Sequence, residues 1–324
     1  MTRGIGSLRR VRRAGGRRRT RQIGVLHAHC GKKIMTTAAG IDAGSVAVKA
    51  VLMADGRPIA WLREGTRPDI AGQCEDMLRR LPGEAPAGTP EPEAVCATGY
   101  GRNLAGAERT VSEIVTNAAG AGWIWHNWDE LAAIFGEPPR PEERPEPPRT
   151  IIDIGGQDSK VVTFSEDGMV DDFAMNDRCA AGTGRFLEVM ARALETDLEH
   201  LDGLALGCSE PASISTACTV FAESEVVSLL GEGVDRERVA AGLFHSVARR
   251  VVSLAERIGY RPPVLLDGGP SASRALARAL GDELGTEPAV PPRGDLVTAI
   301  GAARLAGRES SSVGSMDIEP EGGE

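Results

Sequence analysis

Long hydrophobic runs, closely spaced cysteines and the common nucleotide-binding signatures are all missing from this 324-residue chain. No apolar run reaches the roughly 18–20 residues that a membrane-spanning helix needs, so the sequence predicts no association with a membrane. The six cysteines are spread along the chain, and no CxxC pair occurs. That pattern argues against a zinc ribbon and against a disulfide scaffold, and it predicts a protein of the reducing cytoplasm.

Acidic residues are absent from the first 35 positions, which hold eleven lysines and arginines. Setting this segment aside changes the formal net charge from −9 to near −20, and such a body repels nucleic acid and anionic membranes. The basic segment has the composition of a nucleic-acid-binding arm or a targeting sequence, but it lacks the apolar core of a secretory signal. Because Met35 directly precedes the first strand-like segment, we interpret residues 1–34 as a disordered extension or as sequence upstream of the true start.

Two segments share one pattern, an apolar strand that reaches an aspartate and then a glycine-containing turn. The first segment covers residues 37–53 around Asp42, and the second covers residues 150–164 around Asp153. A supersecondary unit repeated at so long a period predicts an α/β fold with two related domains around a cleft. A third segment, residues 265–269, predicts a strand that runs into a Gly-Gly turn.

The domain prediction has five parts. They are a basic extension at 1–34, a first α/β domain at 36–136, a Pro- and Glu-rich surface linker at 137–149, a second α/β domain at 150–308 and a disordered acidic tail at 309–324. The six prolines of the linker exclude a regular element there. The tryptophan-rich residues 123–128 before the linker have the composition of a partner-binding surface, but ordinary helix packing explains part of them, and we favour packing.

The sequence lacks both common phosphate-binding loops, the P-loop and the dinucleotide-binding fingerprint, so phosphate has to be bound in another way. No GxxxxGK[ST] motif is present, and Gly182-Thr183-Gly184 has Leu187 where a dinucleotide fingerprint needs its third glycine. Hairpin turns rich in Gly and Ser offer a different solution, because successive backbone N–H groups can point at phosphate oxygens. Such turns follow both aspartates of the repeat.

The two aspartates and the glycine turns therefore form the predicted nucleotide site. Asp42 and Asp153 are best explained as holders of Mg²⁺ or its waters, because a bare carboxylate repels phosphate. Gln157 is predicted to orient an attacking water without adding charge, and the Gly-Gly turn allows backbone to approach an adenosine or ribose. The predicted cofactor-binding residues are Gly44, Ser45, Lys49, Gly155, Gly156, Gly268 and Gly269.

Two of the six cysteines stand at the apparent head of a helix. Cys179 precedes Phe186 and further apolar residues at helical spacing, and Cys218 precedes a helical run that extends to Leu230. A helix N-terminus favours thiolate and electron-rich groups, although an isolated free cysteine is usually a small buried hydrophobe. Two thiolates cannot fill the four ligand positions of an iron–sulfur cluster, whereas two copies of the chain can.

These motifs resemble the BadF/BadG/BcrA/BcrD ATPase family of the acetate and sugar kinase, heat-shock chaperone and actin superfamily. The resemblance covers about residues 37–306 and is carried by residues 41–45, 97–102 and 151–160 and by the segments around both cysteines. It implies two actin-like, ribonuclease H-like domains that bind ATP or ADP with Mg²⁺. It also implies one [4Fe-4S] cluster shared between two subunits through Cys179 and Cys218, with Asp42, Asp153 and Gln157 acting in hydrolysis.

Members of this family drive low-potential electrons into acyl-CoA substrates held by a partner, and three functions remain open. The third glycine motif continues as Pro270-Ser271-Ala272-Ser273 where activators typically carry Val-Ala-Lys-Asn, and residues 121–149 form a longer insertion. Both departures favour a benzoyl-CoA reductase-type ATPase subunit. The alternative is a homodimeric activator of a 2-hydroxyacyl-CoA dehydratase, and a remote one is a sugar-kinase-like phosphotransferase. The implied partners are a second family subunit, homo- or heterodimeric, the catalytic acyl-CoA subunits and a ferredoxin-type donor, with no nucleic acid and no membrane.

Overall fold

The protein is described here from a computed structural model that covers residues 36–176, 179–215 and 219–307. Its first sheet has five strands in the order β3-β2-β1-β4-β5. These strands are β1 (Thr37–Ala43), β2 (Ala47–Ala54), β3 (Arg57–Gly65), β4 (Ala94–Thr98) and β5 (Arg109–Thr110). β1 pairs antiparallel with β2 and parallel with β4. The predicted hairpin over residues 37–53 is confirmed. The basic extension, Cys218 and the acidic tail lie outside the described residues.

The second sheet repeats the plan of the first, in the order β8-β7-β6-β9. Its strands are β6 (Thr150–Ile154), β7 (Ser159–Phe164), β8 (Val170–Asn176) and β9 (Val264–Asp267). β6 pairs antiparallel with β7 and parallel with β9, as β1 does with β2 and β4. Asp42 and Asp153 therefore occupy equivalent positions, which confirms the duplicated unit that the sequence predicts.

Helices pack against both sheets and contribute residues to their cores. They are α1 (Ile70–Arg80), α2 (Glu113–His126), α3 (Leu131–Phe135), α4 (Gly184–Ala193), α5 (Leu198–Leu206), α6 (Thr219–Gly231), α7 (Arg236–Glu256), α8 (Arg274–Leu284) and α9 (Val297–Ala306). Side chains of Asp69, Asp197 and Ser273 accept the first free N–H groups of α1, α5 and α8. None of the helices in the described ranges is both long and apolar enough to cross a membrane.

A pair of helices, α2 and α9, lies in the core that joins the two sheets. This core combines Val51 of β2 and Val162 of β7 with Ile124 of α2 and Ile300 of α9, all of them buried. The two helices approach so closely at Gly301 that a Cβ there would overlap the carbonyl oxygen of Thr116. Because the neighbouring atoms belong to the main chain, no flexible side chain can move aside to make room for a larger residue.

Gly301→Val is consequently expected to destabilise the fold by about 3 kcal/mol or more, because overpacking a site walled by backbone forces whole helices to shift. Thermal or urea unfolding measures the change. Gly203→Ala is the matched control, since Gly203 is an exposed helical glycine with open space around its Cα. There the added methyl stabilises by up to about 1 kcal/mol through helix propensity. Equal midpoints for the two variants would contradict the close helix crossing.

The tryptophan-rich residues pack as the sequence analysis favoured. Trp123 and Trp128 are buried, and the indole N–H of Trp128 donates to the carbonyl of Pro141 at 3.1 Å. Trp125 donates in the same way to Pro145 at 2.9 Å. The Pro-rich segment forms no helix or longer strand, but these bonds and a two-way backbone pair between Arg140 and Val290 hold it against the body.

Candidate functional site

A cleft of about 410 Å³ opens between the two sheets, at the ends of β1 and β6. Nine of the ten residues predicted for the nucleotide site line it. They are Asp42, Gly44, Ser45, Lys49, Asp153, Gly155, Gly156, Gly268 and Gly269. Gln157 is the exception, because its side chain is exposed and it is not among the lining residues. Its neighbour Asp158 lines the cleft instead.

Each sheet presents one aspartate paired across its hairpin with one lysine. The Lys49 ammonium lies 2.8 Å from Asp42 Oδ2 in the first sheet, and the Lys160 ammonium lies 3.5 Å from Asp153 Oδ2 in the second. Each pair occupies one rung of its antiparallel ladder. Burial lowers the pKa of Lys49, but Asp42, with smaller contributions from Asp153 and Asp295, outweighs burial and the net pKa is raised. Both ammonium groups thus stay charged at neutral pH.

Lys160 is the more deeply embedded of the two lysines and contacts three carboxylates. Besides Asp153, its Nζ lies 2.7 Å from Glu113 Oε2 and 2.8 Å from Asp158 Oδ2. Burial lowers the pKa of Lys160, but these carboxylates overcome burial and raise it well above its usual range. Burial also raises the pKa of Asp153 and Glu113, although the lysine opposes both shifts. Since Glu113 begins α2, this cluster links a helix of the first half to the second sheet.

Glycines in the left-handed region cover the two aspartates. Gly99 follows β4 with φ +90°, and a Cβ there would lie 2.6 Å from Asp42 Oδ1. Gly268 follows β9 with φ +87°, and its Cβ would lie 2.6 Å from Asp153 Oδ1. A side chain at either position would combine backbone strain with a clash. The duplication thus extends to the strand beside each aspartate.

The predicted phosphate turns are partly engaged by the protein itself. The N–H of Gly155 donates to the carbonyl of Asp158 at 2.9 Å, so a phosphate would have to compete with that carbonyl for the N–H. Gly156 packs against the side chain of Val46 from the opposite turn, and a Cβ at Gly156 would overlap it. The two turns therefore touch across the cleft.

The cleft is acidic on balance and also has apolar residues in its lining. Its acidic side chains are Asp42, Glu113, Asp153, Asp158, Glu188, Glu199, Asp202 and Asp295, against Lys49, Arg63 and Lys160 as cations. With eight carboxyl groups and three cations, a polyphosphate would be repelled unless a divalent cation enters with it. Leu187, Leu198 and Phe244 are among the apolar lining residues, against which an aromatic base can pack.

The adjacent residues Gln157 and Asp158 allow a paired test of the second turn. We expect Asp158→Asn to lower the kcat of ATP hydrolysis about tenfold to a hundredfold, because it removes a charge-assisted bond to Lys160 inside the cleft. Gln157→Ala is expected to change kcat by less than about threefold if its exposed side chain stays in solvent when nucleotide binds. Steady-state hydrolysis and calorimetric affinity separate turnover from binding. A larger loss in Gln157→Ala would support its predicted role in orienting water.

Cys179 differs from the other described cysteines in its exposure. It is a partly exposed free thiol, whereas Cys74, Cys96 and Cys208 are buried. It does not cap a helix directly, because α4 begins five residues later at Gly184 with Thr183 as its N-cap. Throughout the described ranges, no three His, Cys, Asp or Glu residues are grouped to hold a metal ion.

Comparison with known proteins identifies relatives along most of the chain. The sequence model of the BadF/BadG/BcrA/BcrD ATPase family matches residues 39–306. The 2-hydroxyisocaproyl-CoA dehydratase activator of Clostridioides difficile is 38% identical over 268 residues, which is 82% of this chain and 93% of that protein. A benzoyl-CoA reductase subunit of Thauera aromatica is 28% identical over 256 residues, 77% of this chain and 84% of its own length.

Solved structures agree with the fold. Component A of Acidaminococcus fermentans (R)-2-hydroxyglutaryl-CoA dehydratase superposes with a TM-score of 0.73 at 37% identity, over 84% of this chain and 98% of that one. The activator of the Clostridium difficile 2-hydroxyisocaproyl-CoA dehydratase with bound ADPNP gives a TM-score of 0.72 at 37% identity, over 85% and 94%. The predicted actin-like α/β fold is confirmed.

The comparisons alter the order of the functional predictions. Three relatives of 38% identity are activators of acyl-CoA dehydratases, and the reductase subunit is more distant at 28%. The dehydratase-activator alternative therefore fits better than the benzoyl-CoA reductase subunit that the third glycine motif and the insertion favoured. ATP or ADP is the nucleotide that this fold binds. On the family match and on the identity of its relatives, this chain belongs to the BadF/BadG/BcrA/BcrD ATPase family.

Proposed function

We propose that this protein is the ATP-hydrolysing activator of a 2-hydroxyacyl-CoA dehydratase and passes a low-potential electron to that partner. The observation that carries the proposal is the duplicated aspartate–lysine pair facing one cleft. The glycine turn of the second sheet is hydrogen-bonded to the start of α4, which begins five residues after Cys179. A site for ATP and a thiol on the surface are thus joined by a few residues of main chain. The relatives named as dehydratase activators support the substrate class.

In the proposed hydrolysis, the protein positions the triphosphate and the attacking water. Asp42 and Asp153 would hold Mg²⁺ through its waters, and the ion would neutralise phosphate charge. Lys49 and Lys160 supply the positive charge that phosphate oxygens meet. The water oxygen forms a bond to the γ-phosphorus as the bond to the β,γ-bridging oxygen breaks, and ADP, inorganic phosphate and a proton leave. Gly268 and Gly269 give the nucleoside a backbone wall that carries no side chain.

We propose in addition an iron–sulfur cluster shared between two chains, and the cysteines of the chain support this proposal. Cys179 is a free, partly exposed thiol, as a ligand shared with a second chain has to be. One chain offers two cysteines in the family motifs, Cys179 and Cys218, so two chains together supply the four thiolates that a [4Fe-4S] cluster takes. The cluster supplies a one-electron carrier whose potential depends on burial and on hydrogen bonds to sulfur. The partners would be a second family subunit, a ferredoxin-type donor and the dehydratase.

The decisive experiment combines the anaerobically purified protein with a purified 2-hydroxyacyl-CoA dehydratase, Mg·ATP and a strong reductant. We expect dehydration of the hydroxyacyl-CoA to begin only with ATP present, and about four irons per two chains in the purified protein. A benzoyl-CoA reductase core serves as the second arm of the assay. Activation of the reductase alone would restore the alternative assignment, and phosphorylation of a sugar by iron-free protein would refute both.

A further inference from the structure

The start of α4 is bonded directly to the second glycine turn of the cleft. The N–H of Gly184 donates to the carbonyl of Gly155 at 2.9 Å, and the N–H of Arg185 donates to Gly156 at 2.8 Å. These two N–H groups belong to the first turn of the helix, where intrahelical partners are missing. A displacement of the turn by a ligand therefore moves the beginning of α4.

Ser159 provides a second bond between the cleft and the segment that carries Cys179. Its hydroxyl group is 1% exposed and donates to the carbonyl of Gly182 at 2.5 Å. Ser159 stands on β7 between Asp158 and Lys160, which both line the cleft. The acceptor residue Gly182 has φ +83°, and a Cβ there would lie 3.0 Å from Cγ of Arg250. The bond thus joins β7 to the segment that carries Cys179.

The other end of this segment is anchored away from the cleft. Asn176, the last residue of β8, donates its side-chain N–H groups to the carbonyls of Cys179 at 3.1 Å and Ala181 at 2.8 Å. The Thr183 hydroxyl donates to Ala180 at 2.6 Å. Residues 179–183 are therefore held as one unit, which Ser159 connects to the cleft and Asn176 connects to the edge of the sheet.

We propose that Ser159 is a positioning residue through which nucleotide in the cleft controls access to the Cys179 thiol. This inference rests on the proposed nucleotide site and adds a residue and a measurable consequence to it. Bound nucleotide orders residues 155–158, the Ser159–Gly182 bond transmits that order to residues 179–183, and opening of the segment becomes rarer. The thiol then reacts more slowly with an alkylating reagent.

Alkylation of the full-length, iron-free protein under reducing conditions tests this. The rate at Cys179 is measured by mass spectrometry with iodoacetamide, with and without saturating Mg·ADP, while calorimetry measures ADP affinity on the same samples. Trypsin cleaves after Arg178 and Arg185, so the thiol lies in a peptide with a single cysteine. The fully buried Cys74 and Cys96 report global unfolding in the same digest.

We expect Mg·ADP to slow alkylation of Cys179 in the wild type by roughly fivefold, the scale of one hydrogen bond. In Ser159→Ala most of this protection is lost although ADP affinity is unchanged, and the bonds of Gly184 and Arg185 to the turn account for the remainder. The matched control is Thr163→Val, on the same strand, whose hydroxyl donates to the carbonyl of Asp172 instead; it keeps the protection. Asn176→Ala raises the alkylation rate of Cys179 both with and without ADP, but the ratio of these two rates stays as in the wild type.

Three results would overturn the role of Ser159. The first is full protection of Cys179 by Mg·ADP in Ser159→Ala. The second is loss of protection in Asn176→Ala or Thr163→Val as well. The third is binding of ADP to the wild type without any protection of Cys179. The last result needs no variant, so poor folding of Ser159→Ala cannot conceal it. In all three cases ADP still binds and the proposed nucleotide site stands. Absence of ADP binding to the wild type would remove the proposed nucleotide site and this inference together.

Discussion

Replacing Lys160 by methionine is expected to destabilise the protein by about 3–5 kcal/mol and to abolish productive nucleotide binding. In the variant, Asp153, Glu113 and Asp158 lose the ammonium group that contacts all three of them. A buried charge without its partner costs about 3–5 kcal/mol of stability. The same three carboxylates then repel the incoming phosphates. Urea unfolding gives the stability, and calorimetry with Mg·ADP gives the affinity.

Lys49→Met is the matched control, because Lys49 occupies the same rung in the first sheet but contacts a single carboxylate, that of Asp42. We expect a smaller loss of stability than in Lys160→Met, with nucleotide binding weakened rather than abolished. The two lysines occupy equivalent strands and equivalent rungs, so the comparison changes only the number of neighbouring carboxylates. If both variants lose the same free energy of unfolding, the clustering of carboxylates around Lys160 has no energetic consequence.

The defect of Lys160→Met should depend on pH in one direction. Burial raises the pKa of Asp153 and Glu113 in the folded state, so their contribution to stability is present below about pH 4 and is lost as pH rises through the folded values. The ammonium opposes this loss in the wild type, and its own raised pKa keeps it charged throughout the range. The stability difference between variant and wild type should therefore shrink as pH falls from about 8 to about 5. A difference that grows on acidification would contradict this assignment of charges.

The duplicated framework was accessible from sequence because its signal is local. Apolar residues, an aspartate and a glycine turn follow one another directly, and their recurrence placed Asp42 and Asp153 at equivalent points before any contact was known. The repeat also includes the two lysines and a glycine that covers each aspartate. Lys49 and Lys160 both stand seven residues after their aspartate, yet only Lys49 was predicted, and Gly99 is the counterpart of Gly268.

The remaining site residues depend on tertiary structure and leave no trace in the local pattern. Glu113 reaches Lys160 because the packing of α2 and α9 aims the start of α2 at the second sheet. In the second turn, which of two adjacent residues faces the cleft depends on turn geometry, and Asp158 rather than Gln157 does so. The distance from Cys179 to the start of α4 depends likewise on the turn at Gly182.

Cys179→Ser or Cys218→Ser is expected to abolish bound iron and dehydratase activation while nucleotide affinity stays within about threefold of the wild type. A serine oxygen is a hard ligand that holds an iron–sulfur cluster poorly, and the cleft residues do not include Cys179. Iron content is measured together with mass by light scattering, because a metal that bridges two chains also holds them together.

Cys74→Ser and Cys96→Ser are the controls for this experiment and should keep full iron. Burial raises the pKa of both thiols to about 11, so they remain protonated at neutral pH and offer no thiolate to a metal. Full iron and full activity in Cys218→Ser would refute a site built from two cysteines of each chain, and Cys208 would then be the next candidate. Iron lost from Cys179→Ser with the dimer retained would show that the contact between chains has a protein component besides the cluster. The two measurements together therefore separate the ligands of the cluster from the surface that brings two chains together.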